Sequence, residues 1–388
     1  MNNITFRICF LSFLLAFAVV VLGAFTRLAD AGLGCPDWPT CYGHVWVPNT
    51  DAEVARANEV FAHAPVEHDK TWPEQLHRIF ASTLGLFILA IFFLCFRLYD
   101  KRGIWTSVVV LLGVLVSGTV GRIVIGDSVD PYLWLMVGAY FLNLARLAAH
   151  TQSSDVPFKL PAIIAGLVIL QGFFGMWTVT LNLWPQVVTL HLLGGFATLS
   201  LLWLLLQRLG RWHWQAEANA VVGFMNMRKI AALVLVAVVF QIALGGWVSS
   251  NYAALACPDF PLCQDQVWPE ANFLQGFNFF QSIGPNYLGG IMESDARVAI
   301  HLTHRLGAIV VLLLALLLVR KLWRSTYPQA RNFAIVLAGV LFLQLVLGTL
   351  NIVLSLPLFI AVAHNAVGAL LLITVITINH RIRTAITL

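Results

Sequence analysis

Four histidines, His77, His191, His304 and His364, stand near the ends of long apolar stretches. An imidazole within a bilayer is costly and usually functional. A lone one is more often a hydrogen-bonding helix contact than a ligand. Four in matching places of two copies of one pattern reverse that balance, because neutral imidazole is a ready metal ligand. Each copy supplies one pair, His77 with His191 and His304 with His364. Neither pair has Cys or carboxylate partners at zinc spacing, which argues against a tetrahedral zinc cage. Two histidines facing each other across a bundle instead fit the axial positions of a haem iron.

The copies differ beside the histidines. Glu74 lies three residues before His77 and shares its helix face, whereas the second copy has His301 there, whose role stays open. A carboxylate beside a haem can accept protons or stabilise a developing positive charge. A carboxylate favoured by the helix dipole is the plainer alternative. The asymmetry favours chemistry in the first copy and a resting redox centre in the second. Arg78 and Arg305 directly follow His77 and His304. They could meet haem propionates or snorkel to headgroups, and the sequence does not choose. Gln171/Gly175, Gln241/Gly245 and Gln344/Gly348 repeat one spacing that puts both residues on one helical face. The glycines could admit a porphyrin or serve ordinary small-residue packing. His44, His63, His68, His150, His213 and His380 fall in loops or the tail and carry little weight.

Cysteines mark the same duplication. Cys35-Pro-Asp-Trp-Pro-Thr-Cys41 and Cys257-Pro-Asp-Phe-Pro-Leu-Cys263 agree at both Cys, both Pro and the Asp. An oxidising outer compartment favours a disulfide within each loop, and four thiolates on one zinc are the competing reading. Cys9 and Cys95 lie within apolar runs and read as small buried residues.

The elements that must position these groups are membrane helices. Of 388 residues, 59% are hydrophobic by type and 11% charged, against roughly 25% charged in soluble domains. That excludes a soluble enzyme, a disordered chain and a nucleic-acid binder, despite a net charge of +5. A span needs about 20 apolar residues. Ten candidates follow, near 8–28, 76–96, 104–125, 132–149, 160–181, 187–207, 230–250, 299–319, 332–354 and 358–379. The first resembles a signal peptide but is needed by the repeat, so it reads as an uncleaved helix.

The repeat offsets are 257−35 = 222, 304−77 = 227 and 364−191 = 173. The fall from 227 to 173 means that the first half carries about fifty residues the second lacks. Spans 104–125 and 132–149 are that surplus, a helical hairpin inserted near 104–150. The expected fold is therefore all-α and integral to the membrane, with two four-helix bundles as parallel pseudo-twofold repeats. The halves are 1–210 and 229–388. Basic residues cluster in one set of loops, including Arg97, Lys101, Arg102, Arg146, Arg208, Arg228, Lys229, Arg320 and Lys321. By the positive-inside rule both termini are cytoplasmic, and loops 29–75 and 251–298 lie outside.

These residues resemble the haem A synthase family. The likeness rests on Leu22-Gly23-Ala24-Phe25-Thr26-Arg27-Leu28, the two Cys-Pro-Asp loops, Glu74-x-x-His77-Arg78, His191, His304-Arg305 and His364. It covers nearly the whole chain except the hairpin, which departs from the family's eight-helix pattern. It implies oxidation of the methyl group of haem O to the formyl group of haem A, by successive hydroxylations and loss of water, in cytochrome oxidase biogenesis. It implies that His77 and His191 hold the substrate haem, with Arg78 beside them, and that His304 and His364 hold a permanent haem b, with Arg305. Glu74 is then the catalytic carboxylate and Cys35–Cys41 the functional disulfide. It further implies a bacterial plasma membrane, a haem O synthase and oxidase assembly factors as partners, an electron acceptor the sequence does not name, and possible homo-oligomers.

Two other classes remain in view. A di-haem b-type electron carrier would use all four histidines but leave Glu74 idle. A ten-helix transporter should carry polar residues near the bilayer midplane, whereas here they crowd one end.

Overall fold

The computed structural model describes residues 3–97 and 159–387, with Gly113 and Gly138. The hairpin expected near 104–150, with spans 104–125 and 132–149, otherwise lies outside the described residues, as do Lys101, Arg102, Arg146 and His150. Eight helices among the described residues are long and apolar enough to cross a membrane. They are α1 (Asn3–Leu28), α3 (His68–Arg97), α4 (Lys159–Thr180), α5 (Pro185–Leu209), α6 (Ala218–Ser250), α8 (Ser294–Trp323), α9 (Pro328–Val353) and α10 (Leu358–Thr384). Two shorter helices, α2 (Asp51–Val60) and α7 (Phe273–Gly276), lie in the long loops. The chain is an all-α, multi-pass integral membrane protein.

Several helices begin before their apolar runs. α3 starts at His68 and α6 at Ala218, because polar first turns continue the hydrogen-bond ladder without adding hydropathy. With 33 residues, α6 is about 50 Å long, well beyond a hydrocarbon core of about 30 Å. α2 forms where the sequence provides a capping box: Thr50 accepts from the Glu53 N–H, and the Glu53 carboxylate accepts from the Thr50 N–H.

Two compact units are present. One comprises Met1–Ala16, Phe80–Phe173 and Ala197–Arg211. Within it the Phe13 and Trp203 rings lie 4.7 Å apart, and Cys9 Sγ donates to Leu202 O. The other comprises Phe17–Ile79, Phe174–Phe196 and Trp212–Leu388, and it holds every candidate site residue. In it α6, α8, α9 and α10 pack in a closed ring, each against the next and α10 back on α6, the arrangement of an up-and-down four-helix bundle. Asn379 fastens the last contact by donating to Ala231 O at 2.8 Å. Below the bundle, β1 (Gln215–Ala216) pairs in parallel with β2 (Ile386–Thr387).

The duplication is written in the backbone as well as in the sequence. Asp30 and Tyr252, 222 residues apart, both adopt left-handed φ, of 52° and 54°. Each ends its helix the same way, with Ala31 N–H donating to Thr26 O and Ala253 N–H to Val248 O, both at 2.9 Å. This bond satisfies a carbonyl that a helix end leaves free. The Tyr252 hydroxyl donates to Asp30 Oδ1 at 2.9 Å. Two repeat-equivalent residues in mutual contact place the pseudo-twofold axis between them.

Candidate functional site

Each Cys loop is closed by residues of its own motif. Cys35–Cys41 and Cys257–Cys263 are both disulfides, so these thiols are not available as zinc ligands. The Asp of each motif closes the turn. Asp37 accepts from the Tyr42 and Gly43 N–H groups at 2.6 and 2.8 Å. Asp259 accepts from those of Gln264 and Asp265 at 2.7 and 2.9 Å. In the first loop Tyr42 is buried and donates to Ala64 O and Pro65 O. Burial, then the nearby Glu67, Glu74 and Asp37 carboxylates, pushes its phenol up to about 12.

Arg78 and Arg305 have the same task in the two halves. Arg78 donates to the carbonyls of Asp37, Thr40 and Cys35. Arg305 donates to those of Leu262, Cys257 and Asp259. A planar guanidinium with five donors suits a ring of carbonyls. Each arginine therefore clamps a disulfide loop to the helix that carries a histidine. Neither headgroups nor propionates are needed to account for these contacts, and the sequence offered no sign of them because the acceptors are backbone atoms.

Glu74 is buried, with one oxygen accepting from Arg78 and the other from the Cys35 N–H at 2.9 Å. Its counterpart His301 is also buried, and its Nδ1 lies 3.0 Å from Ala253 O. The two occupy one place in the repeat, and only the first puts a carboxyl group there.

The four histidines come at similar depth. They follow the starts of their helices by 77−68 = 9, 191−185 = 6, 304−294 = 10 and 364−358 = 6 residues. All four lie within three turns of the N-terminal ends of their helices. Every ring rests on a glycine of the preceding membrane-length helix. A methyl group on Gly23 would come 2.9 Å from His77 Cε1, and one on Gly175 3.4 Å from His191 Cε1. On Gly245 and Gly348 it would come 3.2 Å from His304 and 3.1 Å from His364. The repeated glycines thus receive the imidazoles themselves. The glutamines a turn earlier reach the same rings in the second half. Gln241 Nε2 lies 3.1 Å from His304 Nδ1, and Gln344 Nε2 3.3 Å from His364 Nε2. In α1 the matching position, 241−222 = 19, is Val19.

The His77 and His191 ring centroids are 6.4 Å apart with their planes at 89°. Two metal–imidazole bonds of about 2 Å, with about 1.1 Å from each nitrogen to its centroid, span about 6.2 Å. The separation is therefore compatible with one iron that both imidazoles would hold. His191 Nδ1 is also buried without a hydrogen-bond partner in the protein, a cost that a metal bound at that nitrogen would remove. Among the described residues no cluster of three or more His, Cys, Asp or Glu forms a metal cage. The donor set is a pair of imidazoles on each side.

Fold and site together define an integral-membrane helical protein that presents paired imidazoles at one end of a duplicated bundle. A sequence model described as cytochrome oxidase assembly protein matches residues 6–130 and 129–376. Heme A synthase of Shewanella oneidensis is 39% identical over 93% of this chain and 92% of its own length. The proteins of that name from Caulobacter sp. strain K31 and Flavobacterium psychrophilum are 28% and 26% identical, each over 95% of this chain and 93% and 94% of their own. The chain belongs to this family, that of the haem A synthases.

Proposed function

We propose that the chain oxidises the methyl group of haem O to the formyl group of haem A by successive hydroxylations and loss of water. The observation that carries the reading is the 6.4 Å separation of His77 and His191, which fits one haem iron, beside a carboxylate present in that half alone. In this reading the first half, residues 1–210, binds substrate through His77 and His191. The second, 229–388, holds a resident haem b through His304 and His364. When bound, haem b supplies a redox centre that can take electrons from the substrate site.

The protein's own residues divide the remaining work. Gly23 and Gly175 set the distance between helix backbones and rings. Arg78 fixes the first Cys loop and one oxygen of Glu74. With its second oxygen held by the Cys35 N–H, Glu74 is a preorganised carboxyl group, one turn from His77, that would act in its ionised form. That arrangement suits stabilisation of positive charge as it develops at the methyl carbon. With water as the oxygen source, each hydroxylation releases two protons and an electron pair, which an acceptor outside the chain must take. The basic loops support insertion in a plasma membrane with both termini cytoplasmic. A haem O synthase is the natural supplier, and oxidase assembly factors, or further copies of this chain, are the expected company.

Glu74→Ala tests the assignment. The variant should lose haem A formation in cells that make haem O while keeping the reduced-minus-oxidised haem b band. An unchanged haem A yield would reject the catalytic role of Glu74.

A further inference from the structure

The turn between α4 and α5, which leads into His191, is held by a segment from the other half of the protein. Trp184 Nε1 donates to Gln281 O at 3.2 Å, and Gln186 Nε2 to Phe279 O at 3.0 Å. Asn182 donates through its amide to Gly284 O at 3.4 Å and accepts at its carbonyl from the Tyr287 N–H at 3.0 Å. The stretch 279–287 is itself anchored to the second half. Gln281 Nε2 donates to Asn251 Oδ1 at 3.2 Å, and the Phe279 ring lies 4.9 Å from that of Trp247.

The crossover runs one way, and the sequence records it. The offset that pairs His191 with His364 is 173, and it pairs Asn182, Trp184 and Gln186 with Ser355, Pro357 and Phe359. The turns match in backbone, since Asn182 and Leu183 share left-handed φ with Ser355 and Leu356. Yet proline has no N–H and a phenyl ring no donor, and Phe359 is 80% exposed. The first outer loop closes instead on itself, through Tyr42 and through the Val66 N–H on Asn58 Oδ1. Of the three matched positions, the two at Trp184 and Gln186 thus have side-chain donors only in the turn that the strap crosses.

His191 follows Gln186 by five residues, about 7.5 Å along the helix. An axial ligand must be held to within about 0.5 Å to be effective, which requires support from outside its own helix. We propose that the 279–287 strap is a positioning element for the first imidazole pair. It fixes the α4–α5 turn so that His191 meets the substrate haem opposite His77, and it makes substrate binding by one half depend on the other. This rests on the functional reading above.

The test is the Trp184→Phe, Gln186→Leu double variant of the full chain, which removes two donors and keeps apolar bulk. Haem O is titrated into purified protein that already carries haem b, and affinity and the ferric spectrum are recorded. Binding should weaken about tenfold or more, the worth of two neutral hydrogen bonds. A high-spin component should appear as His191 ligation loosens, with the haem b band unchanged. Should the double variant lose haem b as well, Gln186→Asn, one methylene short, should show the same change to a smaller degree. Wild-type affinity and a wild-type low-spin spectrum in the variants would overturn the strap. Failure of the wild-type chain to bind haem O would overturn the functional reading, and the strap proposal with it.

Discussion

At the residue scale the site depends on atoms that are missing. Gly23, Gly175, Gly245 and Gly348 each leave the space in which an imidazole edge lies, and the tightest is Gly23, where a methyl would fall 2.9 Å from His77 Cε1. Overpacking of this kind costs about 1–3 kcal/mol and is relieved by moving the side chain. Gly23→Ala should therefore displace His77 and remove low-spin haem O binding, read from the ferric spectrum, while the haem b band persists. Gly195→Ala is the control, because its methyl would meet Val20 Cγ2 at an ordinary 3.9 Å. Equal effects of the two substitutions would show that the ring contact is irrelevant. The sequence revealed Gly175, Gly245 and Gly348 through their spacing, and Gly23 only within the Leu22–Leu28 motif, but none through its partner. A Gln-x-x-x-Gly repeat places residues on one face, and only the neighbouring helix determines what that face meets.

At the scale of elements, the disulfide loops are rigid platforms fastened from below. The Asp of each Cys-Pro-Asp motif closes the turn, the disulfide closes the loop, and an arginine from the histidine helix binds its carbonyls. The loops were legible because duplication preserved residue identities. The arginine clamps were not, because a carbonyl acceptor leaves no trace in residue type. Helix starts were misplaced for a related reason: His68–Gln75 is polar, and hydropathy does not register a turn that projects from the apolar slab. The first loop also carries a testable pH response. Its Tyr42 phenol is neutral in the fold and pushed up to about 12 by burial and nearby carboxylates. A raised phenol contributes stability below the ordinary tyrosine value near 10, and that contribution fades as pH rises through about 12. Phenolate absorbance, taken as the difference between the wild type and Tyr42→Phe, should rise near pH 12. A transition at the ordinary tyrosine value would show that the loop does not enclose the phenol as described.

At the scale of the whole molecule, one ancestral bundle has been copied and the copies have diverged where it counts. The imidazoles, glycines, turns and disulfides repeat, and that symmetry made the fold readable before any coordinates. Apart from the inserted stretch near 104–150, the departures at the site are few: Glu74 against His301, Val19 against Gln241, and Trp184 and Gln186 against Pro357 and Phe359. Single substitutions carry no periodicity, so the sequence exposed the first and left the strap hidden, whose acceptors are again backbone carbonyls. On the proposed function, repetition would account for two similar haem sites, and divergence for one reacting while the other relays electrons. The most direct measurement is pigment extraction from membranes of cells that make haem O, with and without this chain. The account predicts haem A only when the chain is present, and none when it carries Glu74→Ala. Haem O alone in cells that hold the intact, haem-loaded protein would contradict it and leave a di-haem electron carrier.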